Sequence, residues 1–230
     1  MSLFFDPPTP AASRLFAFPH AGGADLEPRR WATQSPRQVV PVLLPGRGRR
    51  RAERNYRAME PLVADLADAL PDDAPFAFYG HSFGSWVAWE LTRELRRRGR
   101  PGPTHLVLGA RGAPGRPATT PLANLPLAAF AEAVQARYGG IPAELMDRPD
   151  VLGLFLPPLR SDIRILERWQ PVDEPPLDLP LLVLHARGDR SVNADDLAAW
   201  SLTTTGTTTF REVDGGHFFH RDLDIPALIP

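Results

Sequence analysis

The chain contains no cysteine and no lysine; all 26 of its basic residues are arginine. Without cysteine there is no disulfide framework, no thiolate nucleophile and no cysteine-bound metal. Without lysine there is no Schiff-base chemistry and no lysine general base. A formal charge of −1 argues against a general nucleic-acid binder, and no apolar run approaches the ~20 residues a membrane span needs. The start, Met1-Ser-Leu-Phe-Phe-Asp6, lacks the basic-then-apolar pattern of a signal peptide. A cytoplasmic protein is expected.

What is present fits one ordinary domain over residues 1–230, with enough hydrophobic residues for a full core. Its most informative stretch is Phe76-Ala-Phe-Tyr-Gly-His-Ser-Phe-Gly-Ser-Trp86, where an apolar run breaks into Gly80-His-Ser-Phe-Gly84 and then resumes at helical spacing. A serine on a tight strand-to-helix turn needs neighbours without side chains, so Gly80 and Gly84 read as the two glycines of a nucleophile elbow around Ser82. The following helix would point its N-terminal amides at a developing oxyanion.

Strand and helix signals alternate along the rest of the chain. Arg14–Phe18 is a strand candidate running into the turn Pro19-His-Ala-Gly-Gly23, whose small residues Ala21, Gly22 and Gly23 leave backbone N–H groups accessible; a plain turn is the alternative. Val39–Leu44 reads as a buried strand, Met59–Leu70 as an amphipathic helix, Ser85–Arg98 as a helix ending in three arginines, and Thr104–Gly109 as another strand, followed by the glycine- and proline-rich stretch Ala110–Pro121. This order predicts an α/β fold: a mainly parallel sheet covered by helices on both faces. Between about 122 and 170 the alternation stops. Helical segments at Leu127–Tyr138 and Pro157–Trp169, broken by Gly139-Gly140, Pro142, Pro149 and Gly153, suggest a helical lid over the strand ends. Phe130, Leu145, Leu152, Phe155 and Leu156 are candidates to line an acyl channel or to pack on the sheet.

Strand Leu181–His185 then leads to Asp189, and strand Thr207–Val213 leads to Asp214-Gly-Gly-His217. Ser82, Asp189 and His217 thus each follow a predicted strand, in the chain order of serine α/β-hydrolases. His217 would take the serine proton, and Asp189 would hold the histidine tautomer and stabilise the imidazolium. The alternatives for the base are His20, His81, His105, His185 and His220, with the strand positions of His105 and His185 expected to be core. The alternatives for the acid are Asp195, Asp196, Asp214 and Asp222.

Phe18-Pro-His-Ala-Gly-Gly23, Leu44-Pro-Gly-Arg-Gly48, Gly80-His-Ser-Phe-Gly84, Leu159-Arg-Ser-Asp162, Gly188-Asp189 and Gly215-Gly-His-Phe-Phe219 together resemble the type II thioesterases, the free-standing editing hydrolases of polyketide and nonribosomal peptide synthesis. The resemblance implies an α/β-hydrolase fold and hydrolysis of acyl thioesters on the phosphopantetheine arm of an acyl or peptidyl carrier protein, or of small acyl thioesters, by a monomer without metal or tightly held cofactor. It also implies an oxyanion hole formed by the N–H groups of Ala21 and Phe83. Carrier proteins tend to be acidic, so arginines at 47–57 and 96–100 are two expected docking patches; without a partner they read as a solvated loop and a helix terminus.

Three departures from the family pattern stand out. After the strand ending at Gly109 a serine or small polar residue is usual before the Ala-Pro, where this chain has Gly109-Ala-Arg-Gly-Ala-Pro114; Trp169 replaces a common tyrosine, and only thirteen residues follow His217, Pro226 and Pro230 among them. The competing functions are an esterase or lipase acting on oxygen esters, which shares the chemistry, and an idle hydrolase scaffold that binds carriers.

Overall fold

The computed structural model describes residues 4–6, 11–24, 26–31, 37–71, 73–115 and 120–229. Met1–Leu3, residues 116–119 of the glycine- and proline-rich stretch, and Pro230 lie outside them. Six strands, β1 (Arg14–Phe18), β2 (Gln38–Pro41), β3 (Phe76–His81), β4 (Leu106–Gly109), β5 (Leu181–Ala186) and β6 (Thr208–Val213), form one sheet in the order β2-β1-β3-β4-β5-β6. All the pairings are parallel.

The central strands read as unbroken apolar runs because both faces are covered. Phe16, Phe18, Phe76 and Phe78 face one core cluster, which includes Leu62, Val63 and Leu66 of α2 (Met59–Ala69) and Val87, Leu91 and Leu95 of α3 (Phe83–Arg97). Leu15, Ala17, Ala77 and Tyr79 alternate to the other face, against Trp31 of α1 (Leu26–Trp31) and the tail residues Phe219, Ile225 and Ile229. Residues after β6 thus help close the second face.

Between β4 and β5 come α4 (Leu127–Tyr138), α5 (Ala143–Met146) and α6 (Pro149–Arg168); α7 (Ala194–Ala198) follows β5. The first three share a satellite core that includes Phe130, Val134, Leu152, Leu156 and Ile163. Two expectations are corrected here. The second helix of this segment starts at Pro149, not Pro157, and runs through Gly153 and through Pro157-Pro158. Pro149 fits because the first helical turn has no intrahelical acceptor to lose. Pro157 and Pro158 are tolerated because the carbonyls they leave without donors belong to Gly153 and Leu154, both exposed to water. Similarly, β2 ends at Pro41 rather than Leu44: Val42 still donates to Ala17 O (2.9 Å), but Leu43 N turns to Phe4 O (2.6 Å). Pro41 lacks an N–H and is confined to this edge strand.

The topology decides where the site lies. From β1 the chain builds β2 on one side and β3 on the other, so the loops after β1 and β3 diverge at a switch point, where a crevice opens.

Candidate active site

Ser82 follows β3 directly and stands at the N-cap of α3 with φ 53° and ψ −111°, a left-handed conformation rare for a residue with a side chain. The glycines explain how the turn survives. A Cβ on Gly80 would run into the Gly84 carbonyl, and one on Gly84 into the Phe18 carbonyl. Backbone and side-chain bonds stitch the turn: Ser82 N donates to Gly109 O (2.7 Å), and Ser85 Oγ reaches Gly80 O (2.8 Å) and Gly109 O (2.9 Å). An N-cap serine ordinarily turns its hydroxyl back onto its own helix. Ser82 makes no such cap bond; its Oγ lies 3.1 Å from His217 Nε2.

His217 Nδ1 lies 2.8 Å from Asp189 Oδ2. Because the carboxylate can only accept, Nδ1 carries the proton and Nε2 is left bare toward the serine hydroxyl. The loops that carry these two residues are tied together, with Gly188 N donating to Gly215 O (2.9 Å) at a place where a Cβ on Gly188 would crowd the same oxygen. Burial alone would raise the Asp189 carboxyl, but the bonds and charge of His217 and the bonds from Ser191 outweigh it and hold it below its ordinary value. Ser191 donates to Asp189 Oδ1 through both its hydroxyl (2.6 Å) and its N–H (2.9 Å).

None of the other weighed residues takes these positions. His81 is buried with Nε2 2.7 Å from His217 O and Nδ1 2.8 Å from the Tyr79 hydroxyl. A carbonyl accepts, so His81 donates from Nε2 and receives the tyrosine proton at Nδ1; it supports the His217 backbone instead of facing Ser82. Burial, followed by the charges of the neighbouring histidines, pushes its pKa well below the ordinary value, which keeps it neutral. His220 is buried against the His81 ring (3.8 Å between centroids), and burial pushes it down to about 2. His20 lines the cavity beside Ser82, and His185 sits half-buried in β5, 3.5 Å from Glu212. His105 is not core: it precedes β4 and is half-buried. Asp196 helps cap α7 through Asn193, and among the described residues Asp189 is the carboxylate that contacts His217.

The loop after β1 brings Ala21 to the cavity beside Ser82. Phe83 opens α3, where an N–H has no intrahelical acceptor. The loop is held from beneath by a pair not anticipated from sequence. Asp162 Oδ2 accepts from Gly22 N (2.8 Å), while Arg47 binds both Asp162 oxygens (2.6 and 3.0 Å). Both side chains are about 5% exposed. The turn at 44–48, the segment 159–162 and the loop at 18–23 are thus three parts of one clamp. Arg50 is buried too and binds Glu53 and Leu43 O, so the arginine run expected to be solvated is partly structural.

A cavity of about 210 Å³ opens beside Ser82 and His217, walled mainly by apolar side chains including Leu145, Leu152, Phe155, Leu156 and Leu159. Phe130 does not reach it; it is buried in the satellite core, beneath the Arg160 guanidinium at 4.3 Å. Tyr138, at the end of α4, lies with its ring 5.0 Å from that of His217. Gly109 has a packing reason for its missing side chain: a Cβ there would come within 3.2–3.3 Å of His81, Tyr79 and Phe219. Trp169 packs on Trp86 and Trp89 in the core.

The thioesterase domain family matches residues 13–229. LgrE of Brevibacillus parabrevis, named a linear gramicidin dehydrogenase, is 34% identical over 213 residues, which cover 89% of this chain and 81% of its own. That name has no counterpart in the turn after β1, which lacks the G-x-G-x-x-G spacing of a dinucleotide site. Among solved structures, RedJ, the thioesterase of the prodiginine pathway in Streptomyces coelicolor, is 35% identical with a TM-score of 0.84, covering 94% of this chain and 84% of its own. YbtT, a type II thioesterase of the yersiniabactin NRPS/PKS pathway, is 29% identical with a TM-score of 0.83, covering 94% and 90%. The chain belongs to the thioesterase domain family, alongside the type II thioesterases of polyketide and nonribosomal peptide pathways.

Proposed function

We propose that the protein, acting as a cytoplasmic monomer, hydrolyses acyl thioesters on the phosphopantetheine arm of acyl or peptidyl carrier proteins, clearing stalled or aberrant acyl units from an assembly line. The observation that carries this reading is the chain of contacts Ser82 Oγ, His217 Nε2, His217 Nδ1, Asp189 Oδ2, opening on an apolar cavity.

His217 takes the Ser82 proton as Oγ attacks the thioester carbonyl carbon. The oxyanion is received by the N–H groups of Phe83 and Ala21. The C–S bond then breaks, and His217 returns the proton to the departing pantetheine sulfur. Water, deprotonated by His217, attacks the acyl-serine; Ser82 leaves with the proton and the free carboxylic acid is released. Asp189 remains ionised and steadies the imidazolium in both halves. These steps call on no metal and no cofactor beyond the arm the substrate carries. Residues 122–170 act as the lid: the acyl chain lies between Leu152, Leu156 and Leu159 and the β1 loop, and Gly139 and Gly140, with φ of 72° and 88°, form its hinge.

The test is a panel of acyl carriers assayed for hydrolysis, with matched oxygen esters alongside. Thioester hydrolysis that falls by about three to six orders of magnitude in Ser82→Ala is expected. Preference for the oxygen ester would favour an esterase, and turnover unchanged by Ser82→Ala would remove the mechanism.

A further inference from the structure

The protein's arginines fall into two populations. Those ending α3 are neutralised: Arg96 pairs with Glu174, Arg97 with Glu90, Glu94 and Glu174, and Arg98 with Glu94 and Asp68. Arg47 and Arg50 are held by Asp162 and Glu53. These contacts leave little free charge at 96–98 or 47–50 for a partner.

The other population is different. Arg54 and Arg57 face Arg160 and Arg164 of α6 across an open groove of about 870 Å³, completed by Asn55, Pro157 and Ser161. No carboxylate lines this groove, and among the described residues none of the four arginines has an ion pair. Arg160 and Arg164 rest on backbone carbonyls, Arg160 on Ala123 O (3.1 Å) and Leu125 O (2.5 Å), and Arg164 on Ala123 O (3.1 Å). Those contacts aim the guanidiniums but bring no negative charge. Burial, then the charge of Arg164, lowers the Arg160 pKa, which marks a cation short of an anion.

The position of the groove bears on the reaction. Helical periodicity puts residues 157, 160, 161 and 164 on one face of α6 and residues 156, 159, 163 and 166 on another. The first set lines the groove and the second lines the cavity beside Ser82. Asp162, between them, holds the β1 loop through Gly22.

We propose that the groove formed by Arg54, Arg57, Arg160 and Arg164 is the docking surface for an acidic face of the carrier protein. This rests on the thioesterase reading above. Four unneutralised guanidiniums in one groove favour a partner that presents several carboxylates at once, and their attraction raises the rate of encounter. The carrier sits one helix away from the acyl cavity, where its arm reaches the site around the edge of α6.

The experiment compares wild type, Arg54→Glu/Arg57→Glu, and Arg51→Glu/Arg211→Glu, which makes the same charge change at exposed arginines outside the groove. Each is assayed on an acyl carrier protein and on the matching acyl-N-acetylcysteamine thioester. The groove variant should lose about tenfold or more in kcat/KM on the carrier and stay within about twofold on the small thioester, with the control near wild type on both. Raising salt should slow the wild type on the carrier more than it slows the groove variant. Equal loss on both substrates, no loss on the carrier, or an equal loss in the control overturns the proposal. Binding of fluorescently labelled carrier to Ser82→Ala, with and without the groove substitutions, judges docking even if no thioester is turned over. About tenfold weaker binding supports the groove; unchanged binding, or equal displacement by millimolar inorganic phosphate, contradicts it.

Discussion

Ser82 is flanked by two loops that are immobilised by opposite means. On the side of the proposed oxyanion hole, the β1 loop is tied down by a buried, bidentate ion pair, Arg47–Asp162, whose carboxylate also binds Gly22 N. On the base side, Asp189 binds the His217 ring, while the His217 backbone is held by neutral groups: the Tyr79 hydroxyl orients His81, and His81 donates to the His217 carbonyl. A buried ion pair adds little net stability while intact, because desolvation offsets its attraction, but removing one partner strands a charge. A neutral network fails by smaller steps, and it is sensitive to acid because its histidines must stay uncharged. The two sides should therefore break differently.

The largest effect is expected on the ionic side. Asp162→Asn keeps the shape and an acceptor for Gly22 N but leaves the Arg47 cation unpaired, a loss of about 3–5 kcal/mol by urea denaturation, and kcat should fall with the loosened clamp beneath the proposed oxyanion donor Ala21. A loss no greater than that of an exposed pair such as Arg148–Asp150 would erase the distinction.

Acid comes next, on the neutral side. A histidine whose native pKa is depressed binds fewer protons folded than unfolded, so its stability contribution is complete above the unfolded value near 6.5 and is lost as pH falls toward the native value. For His220, pushed down to about 2, the loss reaches about 2 kcal/mol by pH 5, and His81 adds to it in the same direction. Denaturation midpoints at pH 7 and pH 5 should show this slope, and His220→Asn should flatten it. An unchanged slope in His220→Asn would mean that the acid sensitivity lies elsewhere.

The smallest effect belongs to Tyr79→Phe. It deletes the hydroxyl that sets the His81 tautomer and should cost about 1 kcal/mol, with a drop in kcat and little change in KM. A KM effect without a kcat effect would place Tyr79 on the binding side instead.

The same contrast explains what the sequence discloses. The strand ends that carry Ser82 and Asp189 are legible because each follows a short apolar run, and that of His217 because it follows a short strand rich in β-branched residues; glycines with a local steric purpose stand beside them, as at Gly80, Gly84 and Gly188. The parallel sheet is legible for a related reason, since strands buried on both faces lose their alternation. Contacts between distant segments are not legible: Arg47 meets Asp162 across 115 residues, and His81 meets the His217 carbonyl across 136. Nothing in an arginine's neighbours says whether its charge will be buried, paired or left open. The run from Arg47 to Arg57 therefore reads as one patch, although the fold divides it between a clamp and a groove. The proline-containing start of α6 misleads in the other direction, because the tolerance of Pro157-Pro158 depends on which side of the helix meets water.

The proposed mechanism passes the acyl group through Ser82. Rapid-quench mass spectrometry of the protein mixed with a slowly hydrolysed acyl carrier substrate tests it directly. A transient gain of one acyl mass is expected on the peptide bearing Ser82, absent in Ser82→Ala, which should also lose turnover. Turnover at the wild-type rate in Ser82→Ala, or an acyl adduct on another residue, would contradict it.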